Sequence, residues 1–81
     1  MFTVYILQST KNKRYYIGST SNLHKRLSQH NSGANHSTKG KGPWTLIYSE
    51  EFIDKKSAWV REHQIKKYKS GDAFKKLIYP N

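Results

Sequence analysis

Phe2–Ser19 reads FTVYILQSTKNKRYYIGS, and this stretch decides the fold. Residues 2–8 are rich in β-branched and aromatic side chains, which suit a pleated, half-buried surface, and they predict a strand. Residues 9–14, STKNKR, are polar and basic and read as a hairpin loop. Residues 15–19, YYIGS, predict the returning strand. Gly18 inside or just after that strand marks a bend or a close backbone approach. If the two strands pair across the loop, Tyr5 and Tyr16 project to one face and meet.

Working outward, Ser21 or Asn22 offers a side-chain acceptor that opens a helix over 23–31. Leu23, Leu27 and His30 fall at i, i+4, i+7 on one helical face, and Ser32-Gly33 ends the helix. Residues 33–43, GANHSTKGKGP, form a Gly-rich basic loop. Residues 44–52, WTLIYSEEF, predict a third strand with Trp44, Leu46 and Tyr48 alternating on one face. Asp54 is expected to cap a second helix over 55–69, closed by Ser70-Gly71. Asp72 is expected to cap a short third helix over 73–78. The order is ββαβαα. That predicts an α+β domain over 1–81, a small three-stranded antiparallel sheet flanked by helices.

Composition narrows the function. Fifteen Lys and Arg stand against five Asp and Glu in 81 residues, a formal net charge of +10. Such self-repulsion costs stability and points to a polyanionic partner. Nucleic acid, most of all DNA, fits that charge. An anionic membrane does not, because no long basic helix with a broad apolar face is present. The absence of cysteine excludes a disulfide scaffold, a thiolate nucleophile and Cys-based zinc sites. His24, His30 and His36 are too widely spaced for a short zinc motif. The longest apolar stretch near the start, Val4–Leu7, is too short for a signal segment or a membrane span, so the expected location is cytoplasmic. Leu, Ile, Val and Phe total only 16 of 81 residues, near the border of disorder, and six Tyr and two Trp must supply much of the core.

Glu62 is the most informative single residue. At about 100° per residue it points close to the buried direction of Ala58 and Ile65 on the second helix. An inward carboxylate needs either a Lys or Arg at the core edge or a hard divalent cation. On the first helix, Arg26 and His30 are neighbours four residues apart. Arg presents a fixed fork to phosphate oxygens, and His exchanges a proton near neutral pH. The same pair also suits an ordinary solvated face, and Tyr5 and Tyr16 also suit an aromatic core.

Taken in order, these pieces resemble the GIY-YIG nuclease domain. The resemblance is carried by Val4-Tyr5-Ile6, by Tyr16-Ile17-Gly18 eleven positions on, and by the stretch Asn22 to Asn31. Gly42 to Tyr48 and Ala58 to Lys67 extend it over nearly the whole chain. The chain is most similar to the short stand-alone bacterial members. The resemblance implies a divalent-metal-dependent endonuclease that hydrolyses phosphodiester bonds in DNA with low sequence specificity. It implies Tyr5 as general base or water-positioning group and Tyr16 as a hydrogen-bonding group near the scissile phosphate. It further implies Arg26 as phosphate clamp, His30 as proton-transfer or phosphate-contact group, and Glu62 as the ligand of one Mg²⁺ or Mn²⁺ ion. Gly18 would let the backbone pass close to the site. Two positions depart from the family pattern: Thr3 stands where the family has Gly, and Phe74 stands where many members carry Asn, leaving Asn81 as the nearest later Asn.

Lys13 and Arg14 in the hairpin loop, with Lys39 and Lys41 in the Gly-rich loop, are the expected nucleic-acid contacts. A bacterial, nucleoid-associated setting follows from that reading. The length leaves no room for a separate specificity domain, so specificity would come from a protein partner. Two other readings compete. A non-catalytic nucleic-acid-binding module needs only the basic face, and an adaptor needs an exposed apolar patch, for which Trp59 and Val60 are the hint.

Overall fold

In the computed structural model, residues 1–33, 42–68 and 71–79 are described. The first strand, β1 (Phe2–Ser9), is central, and the sheet order is β2-β1-β3. β2 (Tyr15–Thr20) and β3 (Trp44–Phe52) both pair antiparallel to β1. β1 is paired on both edges and covered by helices on both faces, so Val4, Tyr5, Ile6 and Leu7 are all buried. That continuous apolar run is the reason this stretch, and not the more polar β2, takes the centre. The hairpin turns on Ser9, whose buried Oγ accepts from the backbone N–H groups of Lys11 and Asn12 at 3.1 and 3.2 Å. Lys13 adopts φ 64°, a left-handed conformation uncommon for a side chain with a Cβ.

Helix α1 (Leu23–Ser32) begins at Asn22, whose side chain accepts from Lys25 N–H, and ends at Gly33 with φ 82°. Only glycine takes that left-handed cap at no steric cost. Helix α2 (Lys55–Lys67) begins at Asp54, which accepts from Ser57 N–H, and has Tyr68 as its C-cap. The expected helix end at residue 69 and Ser70 lie outside the described residues. Helix α3 (Asp72–Ile78) has Gly71, not Asp72, as its N-cap, with no side-chain cap bond. Asp72 sits one position inside, where its charge still complements the helix dipole.

The sheet separates two clusters. On one face Val4 and Ile6 pack with Ala58, Ile65 and Phe74 of α2 and α3. On the other, Tyr5, Leu7 and Trp44 pack with Tyr16, Leu23 and Leu27 under α1. β3 also contributes to both faces, and its register on β1 slips midway. Ile6 pairs with Tyr48 but Leu7 pairs with Leu46, leaving Ile47 as an extra residue. This bulge corrects the expected alternation: Trp44 lies with the α1 cluster and Tyr48 with the α2–α3 cluster. Glu50 joins two elements. Its Oε2 accepts from Tyr48 O–H at 2.7 Å and from Arg61 Nε at 3.1 Å, which ties α2 to β3.

Candidate active site

The site grows from the pairing of Tyr5 with Gly18 across β1 and β2. A Cβ built on Gly18 would lie 2.7 Å from Tyr5 Oη and 3.2 Å from Tyr16 Cε1. Glycine is therefore required so that the Tyr5 hydroxyl can cross the neighbouring strand. Tyr16 stacks beside Tyr5, with ring centroids 6.3 Å apart at 27°. This is the meeting expected of two strands joined by a short loop.

From above, α1 contributes His30. Its Nε2 lies 3.1 Å from Tyr5 Oη, and the imidazole meets Tyr16 edge-on at 4.6 Å. His30 is 1% exposed, so the solvated-face reading does not hold for it. Burial, and then the charge of Arg26, hold His30 below its ordinary pKa of 6.5, so it is neutral near pH 7. Burial pushes the Tyr5 hydroxyl well above the ordinary tyrosine value; Tyr16 and Glu62 add to this, and Arg26 opposes it. A protonated phenol facing a neutral imidazole donates to Nε2. Tyr5 is thus not a ready phenolate, as a free base would have to be; its outlet for a proton is His30.

Arg26 is half-buried one turn before His30, and its charge reaches both Tyr5 and His30. It lines a cleft of about 220 Å³ with Ser19, Thr20, Ser21, Lys55 and Ala58. Glu62 stands on α2 beside the same strand. Its Oε1 accepts from Ser19 Oγ at 2.6 Å and its Oε2 pairs with Lys66 Nζ at 2.7 Å. Burial alone would raise its pKa, but the hydrogen bonds from Lys66 and Ser19 outweigh burial and hold the carboxyl below its usual value. It is ionised at neutral pH.

An ionised, half-sheltered carboxylate beside a hydroxyl is a hard-oxygen donor set, which suits a Mg²⁺-type ion that keeps most of its waters. Lys66 already contacts one oxygen, so an incoming cation has to share or displace it. Among the described residues no three His, Cys, Asp or Glu side chains gather into a richer metal cluster. Glu62 therefore fits a single-carboxylate site and nothing larger.

Sequence reading missed four contributors. Asn31 clamps β3 to α1: its Oδ1 accepts from Trp44 N–H at 2.6 Å and its Nδ2 donates to Trp44 C=O at 3.2 Å. Trp44, so fixed, walls Tyr16 at 6.3 Å edge-on. Ser19 and Lys66 hold Glu62. Of these, only Lys66 carried a sequence signal, four residues after Glu62 on one helix. Lys13 and Arg14 are exposed in the hairpin loop, three and two residues before Tyr16 along the chain. Lys39 and Lys41 lie outside the described residues, as does Asn81. Phe74 is core, 1% exposed and edge-on to Tyr15 at 4.8 Å.

A model of the GIY-YIG catalytic domain matches residues 1–76. The chain belongs to the GIY-YIG family. Its relatives are short stand-alone members. A UPF0213 protein of Clostridium perfringens is 46% identical over 65 residues, which is 79% of this chain and 69% of that one. A UPF0213 protein of Oceanobacillus iheyensis is 39% identical, covering 78% of this chain and 73% of its own. The solution NMR structure of a UPF0213 protein from Bacillus halodurans superposes with a TM-score of 0.51 at 32% identity, covering 83% of this chain and 72% of that one. That GIY-YIG relative supports the ββαβαα fold. Family membership gives the chain a nuclease-type domain, for which nucleic acid is the substrate and a divalent metal ion the typical cofactor. No helix among the described residues is long and apolar enough to cross a membrane.

Proposed function

We propose that this GIY-YIG chain is a divalent-metal-dependent endonuclease that hydrolyses phosphodiester bonds in DNA with low sequence specificity. The observation that carries the reading is the buried Tyr5–His30 hydrogen bond, with the Arg26 charge reaching both partners.

Arg26 binds a non-bridging phosphate oxygen and offsets the charge that develops there. Tyr5 orients the attacking water, and Tyr16 lines the place where the phosphate sits. As water attacks phosphorus, its proton enters the Tyr5 hydroxyl while the Tyr5 proton moves to His30 Nε2. The bond from phosphorus to the leaving sugar oxygen breaks, and that oxygen takes a proton from solvent. Glu62 would hold one Mg²⁺ or Mn²⁺ ion, which when bound would supply charge relief during the hydrolysis. Among the described residues no element has the form of a base-reading recognition helix, which supports low specificity. Residues 1–81 act as one domain at the bacterial nucleoid in the cytoplasm, Lys13, Arg14, Lys39 and Lys41 contact the DNA backbone, and a protein partner supplies any specificity.

The test is nicking of supercoiled plasmid by the wild type and by Glu62→Ala, with Mg²⁺, with Mn²⁺ and with chelator. The expected result is metal-dependent nicking that falls by roughly a hundredfold or more in the variant. Absence of nicking under every metal condition, or equal nicking by the variant, overturns the enzyme reading.

A further inference from the structure

Helix α2 carries a feature that neither the core nor the catalytic pocket uses. Trp59 is 55% exposed and Val60 52% exposed. The Trp59 ring is held in place by His63, with centroids 3.9 Å apart and planes 34° from parallel. His63 is itself fixed, because its Nδ1 donates to the Trp59 carbonyl at 2.9 Å. A groove of about 500 Å³ runs beside this pair, lined by Trp59, Val60, His63, Gln64 and Lys67. A tryptophan that belongs to neither core cluster, yet is locked by an aromatic neighbour, is a preorganised flat surface.

Its position gives it meaning. At about 100° per residue, Lys66, Trp59, His63 and Lys67 lie about 40°, 60°, 100° and 140° around α2 from Glu62. Lys55 and Lys56 fall within the same strip. Glu62 is the only acid on it, and that charge is already paired with Lys66. The surface leading away from Glu62 is thus basic with an aromatic plate in its middle. An anionic chain with free flat faces fits that pattern. Single-stranded nucleic acid fits because each unpaired base has a face to stack, and its backbone follows the lysines. Duplex bases are already stacked on both faces and present only phosphates to such a surface.

We infer that the Trp59–His63 pair is a stacking platform for an unpaired base next to the cleavage site, so that the preferred substrates carry single-stranded stretches. The inference rests on the nuclease reading above and names the substrate class of that same site. Lys67 and Lys56 hold the phosphates on either side of the stacked base.

The experiment measures binding, not cleavage. A labelled oligothymidine and a labelled hairpin duplex are titrated with the full chain in chelator, using wild type, Trp59→Ala and Trp59→Phe. Circular dichroism checks the fold of each variant. Trp59→Ala is expected to weaken single-strand binding roughly tenfold and duplex binding by less than about twofold, while Trp59→Phe keeps most of the single-strand affinity. Equal weakening on both ligands, or none on the single strand, overturns the platform but leaves the nuclease reading standing. A shift in sedimentation behaviour in Trp59→Ala, without a change in single-strand affinity, also overturns it and assigns the surface to a protein contact. Failure of the wild type to bind either oligonucleotide sinks the nuclease reading itself.

Discussion

The two faces of the sheet are built from alternate residues of one strand, yet they are different materials. Under α2 and α3, Val4 and Ile6 meet Ala58, Ile65 and Phe74, with no polar group in the buried cluster. Under α1, Tyr5 and Leu7 meet Tyr16, Trp44 and His30, and hydroxyl and imidazole are buried together. The first face gains apolar burial and supplies stability. The second gives up part of that gain to hold polar groups in a fixed arrangement, which is what proton transfer needs. Because successive strand residues point to opposite sides, Val4-Tyr5-Ile6 feeds both faces, and Gly18 gives the Tyr5 side its opening.

The largest effect expected from this division is on the apolar side. Phe74→Ala removes a fully buried ring and is expected to cost about 3–5 kcal/mol, read from urea unfolding. A domain of this size has little to spare, so a large unfolded fraction is expected at room temperature. On the other side, Tyr5→Phe keeps the ring and deletes the hydroxyl. Nicking is expected to fall by roughly a hundredfold, with a stability change of only about 1–2 kcal/mol. If Tyr5→Phe unfolds the chain as readily as Phe74→Ala, the two faces are not divided in this way.

The smallest effect is a pH dependence from His30. Its folded pKa lies below 6.5 because burial and Arg26 disfavour the imidazolium. Above 6.5 both folded and unfolded chains hold it neutral, and its contribution to stability is complete. As pH falls below 6.5 the unfolded chain takes up a proton that the folded chain resists, and that contribution is lost until the folded value is passed. Thermal unfolding from about pH 7.5 to about pH 5 is expected to show this fall, and His30→Gln to remove it. The acid limb of the nicking profile is expected below 6.5 for the same reason, and its appearance above 6.5 would count against His30 as the proton acceptor.

Much of this was legible from the chain. The β-branched and aromatic run of Phe2–Gln8 and the basic loop after it led to the hairpin, and with it to the Tyr5–Tyr16 contact. The 3.6-residue period of α2 led to Glu62 at the core edge. Both readings of Glu62 survive: it pairs with Lys66, and it stays ionised and fit for a cation. Three things lay beyond local pattern. The bulge at Ile47 depends on how β3 registers on β1, which no window of sequence contains. The Asn31 clamp joins residues thirteen apart through an amide that has no periodic signature. The burial of His30 depends on Tyr5, twenty-five residues away, rather than on α1 itself.

The extra residue in β3 has a consequence for how this family can vary. Straightening the bulge, so that Ile47 pairs with Leu7 in a regular ladder, would change no side chain named in the catalytic proposal. It would nevertheless shift Trp44 by one position and turn it from the α1 face to the opposite one, because strand side chains alternate. Tyr16 would lose its wall, and Asn31 would face a different backbone amide. In this strand the register is itself an instruction, and a one-residue change of pairing between β1 and β3 is a change of architecture even where every substitution would be mild.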